Sequence, residues 1–193
     1  MRSNHRPPFS DKGQKLYREW NSPPRDGRAA WLWLSMDMLE SPAWRALPSN
    51  SYRVVERILV EFGRHGMRGN GDLVVTHNDF EAWGIRRQSL REAIAIAEAL
   101  GFIEVVFRGT AARAEFRFPS RYRLTFRPHE ILTDDGRSEP VQQTDEWTRI
   151  KSVQDAERII AETREQLQDQ RESERGQRIS RLQMRGSRAR AVA

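Results

Sequence analysis

The chain has 193 residues, with 33 Lys and Arg against 27 Asp and Glu and a formal net charge of +6. Cysteine is absent, which excludes disulfides, thiolate nucleophiles and Cys-ligated zinc and fits a reducing compartment. No apolar run approaches the roughly 18–20 residues of a membrane span, and Met1 to Pro8 carry charges with no apolar stretch behind them, unlike a secretory signal.

In chain order, residues 1–28 hold Pro7-Pro8 and Pro23-Pro24 among scattered charges. They bury too little apolar area to offset ordering entropy and read as a disordered N-terminal arm. From Trp31-Leu32-Trp33-Leu34, a short strand or extended lead-in, to about Trp147 the sequence is dense in apolar and turn residues, so 29–147 reads as the folded domain. Ser41-Pro42 starts a helix, with Ser as N-cap and Pro where its missing N–H does no harm. Pro48-Ser49 interrupts and restarts it. Val55, Ile58, Leu59 and Phe62 then give one apolar face through about His65. Gly66 and Gly69-Asn70-Gly71 form a turn that tolerates positive φ. Leu73 to Val75 reads as a short strand. Thr76 with Asp79 forms the cap of a second helix, Phe80 and Trp83 pointing inward, and Gly84 ends it. A third helix follows from Gln88 to Leu100, with Leu90, Ala93, Ile94, Ala97 and Leu100 on its inner side.

After Gly101 the apolar period changes from 3.6 to 2. Phe102 to Arg108 reads as a strand, residues 109–113 as a tip, and the return strand puts Phe116, Phe118, Tyr122, Leu124 and Phe126 on one parity. Arg117, Arg121, Arg123 and Arg127 take the other, with a bulge or edge at Pro119. This helix, strand, helix, turn, helix, hairpin order predicts an α+β fold, a winged helix-turn-helix domain with a C-terminal extended helix and disordered termini.

Charge follows the same division. Residues 86–127 hold nine Arg against four Glu, whereas residues 41–147 as a whole balance at 15 basic and 15 acidic. The positive charge therefore gathers on the third helix and the hairpin, which points to double-stranded DNA as partner. The expected interface comprises Arg86, Arg87, Gln88, Ser89, Arg91, Arg113, Arg117, Arg121 and Arg123. In it Arg87, Gln88 and Arg91 read base edges, Arg86, Arg117, Arg121 and Arg123 neutralise phosphates, and Arg113 probes the flanking groove.

The run from Gly84-Ile85-Arg86-Arg87-Gln88-Ser89-Leu90-Arg91-Glu92 to Gly101-Phe102-Ile103 resembles the recognition helix of bacterial winged-helix regulators of the GntR type. It departs from them at Arg86, where a Ser or Thr cap is usual, leaving Ser89 as the alternative cap. Met38 to Leu47, Asn70 to Leu73 and Ser120 to Thr125 resemble winged-helix proteins of plasmids and phages, including replication-initiator-like ones. The resemblance spans about residues 30–128 and implies DNA binding, at a promoter or at a replication origin.

The enzyme reading is set aside. His5, His65, His77 and His129 share no ligand spacing, Gly66 to Gly71 lacks the Lys of a phosphate loop, and no nucleophile with a base is evident. No cofactor, metal or small-molecule substrate is expected. Beyond residue 148, Ser152 and Asp155 form a capping box, and Val153, Ala156, Ile160, Thr163 and Leu167 make an amphipathic stripe over 148–175. It suits docking on the domain, or a homodimer or partner protein. Residues 176–193 carry five Arg and no acid and read as a basic disordered tail that adds phosphate affinity. The expected role is a cytoplasmic, nucleoid-associated transcriptional regulator of a mobile element. A replication-initiator-like protein, or an adaptor without DNA affinity, are the alternatives.

Overall fold

Residues 32, 34–109, 118–132 and 138–190 are described by the computed structural model. The N-terminal arm, Trp31 and Trp33 of the lead-in, and the hairpin tip with Arg113, Phe116 and Arg117 lie outside the described residues.

The helical part begins with two short helices, of which only the second, at Ser41-Pro42, was legible in the sequence. Ser35 starts α1 (Met36–Leu39), its Oγ accepting from Met38 N–H. Ser41 starts α2 (Pro42–Ala46), its Oγ accepting from Trp44 N–H at 3.1 Å, with Pro42 at the first helical position. Pro48 then opens α3 (Ser49–Arg64). The expected face of Val55, Ile58, Leu59 and Phe62 is buried, together with Val54, Ser51 and Arg57. Gly66, Met67, Gly69 and Gly71 all take positive φ in the turn that follows.

The turn leads into β1 (Leu73–Val74) and then α4 (His77–Ala82). Thr76 and Asp79 close a reciprocal capping box: Asp79 N–H donates to Thr76 Oγ1, and Thr76 N–H donates to Asp79 Oδ2 at 2.8 Å. Phe80 is fully buried, but Trp83 is only half-buried, because its indole N–H reaches out to the Glu56 carboxylate. Helix α5 (Arg87–Ala99) buries Leu90, Ala93, Ile94, Ile96 and Ala97 and packs across α3.

Strands β2 (Ile103–Phe107) and β3 (Arg121–Leu124) pair antiparallel, and β1 adds to the other side of β3, giving the order β1-β3-β2. The ladder shifts register between Val105 and Phe107, so the extra residue lies in β2 and not in the return strand at Pro119, where a bulge or edge was expected. Pro119 itself lies outside the strand. Phe118 consequently departs from the expected parity and is 54% exposed: the period-2 pattern does not carry back across a residue that cannot join the ladder. Aromatic edges close the core, Phe80 against Tyr122 and Trp44 against Phe102, with ring centroids 5.9 and 5.2 Å apart.

A separate two-stranded ladder, β4 (His129–Leu132) with β5 (Ser138–Val141), precedes a 3-10 helix (Glu146–Arg149) and the long α6 (Val153–Arg190). The architecture is thus α+β. Helix α6 packs on α2 and α5 of the same chain, burying Ala156, Ile160 and Leu167. The stripe expected to serve docking or a second copy is spent within the chain. The helix also runs on to Arg190 through the segment expected to be a disordered tail. Arg, Gln, Leu and Met are good helix formers, and their propensity carries the helix where the apolar stripe has failed.

Candidate nucleic-acid interface

The geometry of α4 and α5 is set by one tight turn and one buried cation. Gly84 has φ +83°, a conformation in which any Cβ is strained. Its carbonyl accepts from Arg53 Nη1 at 3.0 Å. Arg57, only 4% exposed, donates from Nη1 to Glu61 at 2.7 Å and sits 3.4 Å from the Asp79 carboxylate. Its guanidinium carbon lies 6.0 Å over the Trp83 ring. Arg57 thereby ties α3 to both ends of α4, and with it fixes where α5 begins. The sequence reading passed over this residue, although Arg57 and Glu61 stand at the helical i,i+4 spacing that signals such pairs.

Helix α5 starts at Arg87, with Arg86 as its N-cap and no side-chain cap. Ser89 is the third helical residue; its N–H donates to Arg86 O and its hydroxyl does not cap. Arg86 and Gln88 are exposed and make no side-chain hydrogen bond or ion pair among the described residues. Arg87 is exposed but engaged: Nη2 donates to Glu81 Oε2 at 2.8 Å and to Asn78 Oδ1 at 2.9 Å. The hydrogen bond from Arg87 holds the Glu81 carboxyl below the usual carboxylate range and raises the guanidinium in turn.

Arg91 is met by the C-terminal helix. Its Nη2 donates to Gln170 Oε1 at 2.9 Å and to Glu174 Oε1 at 3.1 Å, and Nη1 reaches Glu174 Oε2 at 3.3 Å. One position further along α5, Glu92 accepts from Arg164 Nε at 2.7 Å. Helix α6 therefore lies along the outer side of α5, with Leu167 buried between these two polar contacts. The side chain of Arg91 keeps 42% of its surface exposed, so it is paired rather than sealed.

On the sheet the expected outer row divides. Arg121 is exposed and pairs with Asp72 at 2.7 Å. Arg123 differs from the expectation: it is 8% exposed, held by Glu104 through Nε, by Thr144 Oγ1 through Nη1 at 3.1 Å and by Glu146 through Nη2 at 3.1 Å. The reason is that the sheet is covered there on both sides. Residues 144–147 return across it, with the N–H groups of Thr144 and Asp145 donating to Thr125 O and Trp147 buried beneath. Arg123 is consequently withdrawn from any external phosphate. Glu104 stands directly opposite it in the ladder, a cross-strand pairing that sequence parity alone did not reveal. Arg113 and Arg117 are outside the described residues.

Four of the expected cations, Arg87, Arg91, Arg121 and Arg123, are thus paired to carboxylates of the chain, and Arg86 stands without one. The local field is weaker than a count of arginines implies. Among the described residues no group of three or more His, Cys, Asp or Glu is placed to hold a metal, and no helix is long and apolar enough to cross a membrane. No protein-family model, curated protein or solved structure matches the chain.

Proposed function

We propose that the chain is a winged helix-turn-helix protein that binds double-stranded DNA, acting as a transcriptional regulator of a bacterial mobile element. One observation carries the reading. The order α3, β1, α4, tight turn, α5, β2, β3, with sheet order β1-β3-β2, is the layout in which a second helix enters the major groove beside a hairpin. The exposed entrance of α5 offers Arg86 and Gln88 directly. Arg87, Arg91 and Arg121 join them by exchanging carboxylate partners for phosphate or base edges, an exchange of one charge-assisted pair for another. Arg123 serves the sheet and takes no part.

A second reading, a protein-interaction adaptor on the same fold, is favoured by the acidic partners of Arg87 and Arg91 and by α6 lying along α5. Fluorescence anisotropy with labelled random duplex at low and moderate salt separates the two. A DNA-binding chain loses affinity steeply with salt, and Arg86→Ala with Gln88→Ala weakens it further. Glu174→Gln, which frees an exposed ion pair worth about 0.2–1 kcal/mol, tightens binding by roughly 1.4- to 5-fold. Absence of duplex binding at low salt, in both the parent and Glu174→Gln, removes the DNA reading and leaves the adaptor.

A further inference from the structure

Helix α6 outruns the surface it packs on. Among the described residues, its last side-chain contact with α5 is the pairing of Glu174 with Arg91. The helix then continues to Arg190, about 24 Å further. Charge changes at the same point. Residues 153–174 hold seven Asp and Glu, whereas residues 175–190 hold six Arg and no acid. Complementing the helix dipole accounts for cations in the last turn only, and on any side.

These arginines are ordered by side. At about 100° per residue, positions 178, 181, 185 and 188 fall within one arc of about 80°, and all four are Arg. The twelve other positions of 175–190 hold the remaining two. The arc is one that α6 already uses. Ala156, Ile160 and Leu167, which are buried, and Gln170 and Glu174, which hold Arg91, lie within it. The face that docks on the domain therefore turns to arginine one turn after it clears α5. Arg87 and Gln88 stand about one turn before Arg91, so the arginine arc begins beside the exposed entrance of α5.

We infer that the 178–188 face of α6 is a second phosphate-binding surface, which takes the backbone of the same duplex that α5 enters. The inference rests on the DNA reading above. Two features select this occupant. The arc spans about 15 Å, the axial length of about four phosphates on one strand, and guanidinium groups pair with phosphate in bidentate fashion. From Leu167 to Arg190 the arc holds no further apolar residue, so it offers nothing to bury against a second copy or a partner helix.

The test uses the full chain and a labelled random duplex, with log affinity followed against log salt concentration by anisotropy. Each phosphate contact contributes about 0.9 to the slope. Arg181→Gln with Arg185→Gln, inside the arc, is expected to lower the slope by about 2. Arg175→Gln with Arg190→Gln removes the same charge outside the arc and keeps the slope of the parent. One Ala inserted after Gln177 retains every arginine but turns the arc by about 100°, and it lowers the slope as the inner pair does. Four inserted Ala bring the arc back to within about 40° and restore the slope. Circular dichroism confirms that the inserted chains keep their helix content. Equal losses from the inner and outer pairs, or an unchanged slope after the single insertion, overturn the inference and leave the DNA reading standing. Absence of duplex binding by the parent at low salt removes both. Loss with the inner pair but none with Arg86→Ala plus Gln88→Ala upholds this surface and removes α5 from the interface.

Discussion

Asn70 sits in the glycine-flanked turn after α3, yet it is 3% exposed and its carboxamide does the work of a missing strand residue. Strand β1 pairs Leu73 with Tyr122 and then stops, so Leu124, two residues further along β3, has no strand partner on that side. Asn70 Oδ1 accepts from Leu124 N–H at 2.7 Å and Nδ2 donates to Leu124 O at 2.8 Å, which adds one rung to the ladder. The same Nδ2 lies 3.0 and 3.1 Å from the carbonyls of Arg127 and Pro128. Asn70→Ala leaves the buried Leu124 N–H without a partner, at about 1–3 kcal/mol, while Leu124 O keeps a long bond from Arg127 N–H at 3.4 Å and water reaches the outer two carbonyls. The expected loss is about 2 kcal/mol. At roughly 2–4 °C per kcal/mol for a chain of this size, the melting point falls by about 6 °C.

Asn70→Asp distinguishes hydrogen bonding from packing. Its carboxylate can accept from Leu124 N–H but faces three carbonyl oxygens, which raises its folded pKa above the ordinary Asp value near 3.9. The penalty is then full at neutral pH and shrinks as the pH falls through that raised pKa, so this variant recovers toward the parent between pH 7 and pH 4. Asn70→Ala keeps a constant gap. Both are read by urea denaturation at several pH values. An Asn70→Ala chain within about 0.5 kcal/mol of the parent would falsify the ladder argument.

Gly101 has φ +78°, and a Cβ there meets the backbone of Glu146 and Trp147 at 2.7 Å, atoms that cannot swing aside. Gly66, with φ +62°, has nothing within 4 Å of its Cβ position. Gly101→Ala should therefore cost well over the roughly 1 kcal/mol of conformational strain expected for Gly66→Ala, and equal losses in thermal denaturation would remove the contact from the account. The capping box of α4 predicts a pH signature. Asp79 is held below its ordinary pKa, first by the Thr76 hydroxyl and then by the Thr76 N–H. Its stabilisation is full above the unfolded value near 3.9 and is lost as pH falls through the lower folded value. Asp79→Asn should accordingly differ from the parent in urea midpoint at pH 6 by an amount that shrinks as the pH falls below about 3.9, and a constant difference would contradict the ion's role.

The helices were legible because their signals are local. Ser41-Pro42, Pro48-Ser49 and Thr76 with Asp79 mark starts within four residues, and the buried face of α5 follows its spacing. What resisted reading depends on contacts far apart in sequence. Arg123 alternates correctly for an outward residue, but nothing near it says that residues 144–147 return over the sheet. Arg91 gives no local sign of Glu174, 83 positions away. Asn70 looked like turn chemistry because the glycines beside it do require positive φ, and its strand-like role appears only once β1 is seen to be two residues long. The amphipathic stripe of α6 was readable as a stripe, while its choice of surface was not, since the same spacing suits a neighbouring helix of either origin.

Helix α6 holds 38 residues, and Leu167 is the last of them that is buried among those whose side chains are described. Peptide helices of a few turns in water start poorly, because the opening turn fixes several dihedrals for one hydrogen bond, whereas each further residue joins at little cost. The docked turns around Ala156 and Ile160 serve as that costly seed, and the arginine-rich remainder is a cooperative extension of it. Anything that lifts those turns from α2 and α5 consequently unravels a much longer stretch than it touches, converting a local loss of contact into a large change in the chain's reach.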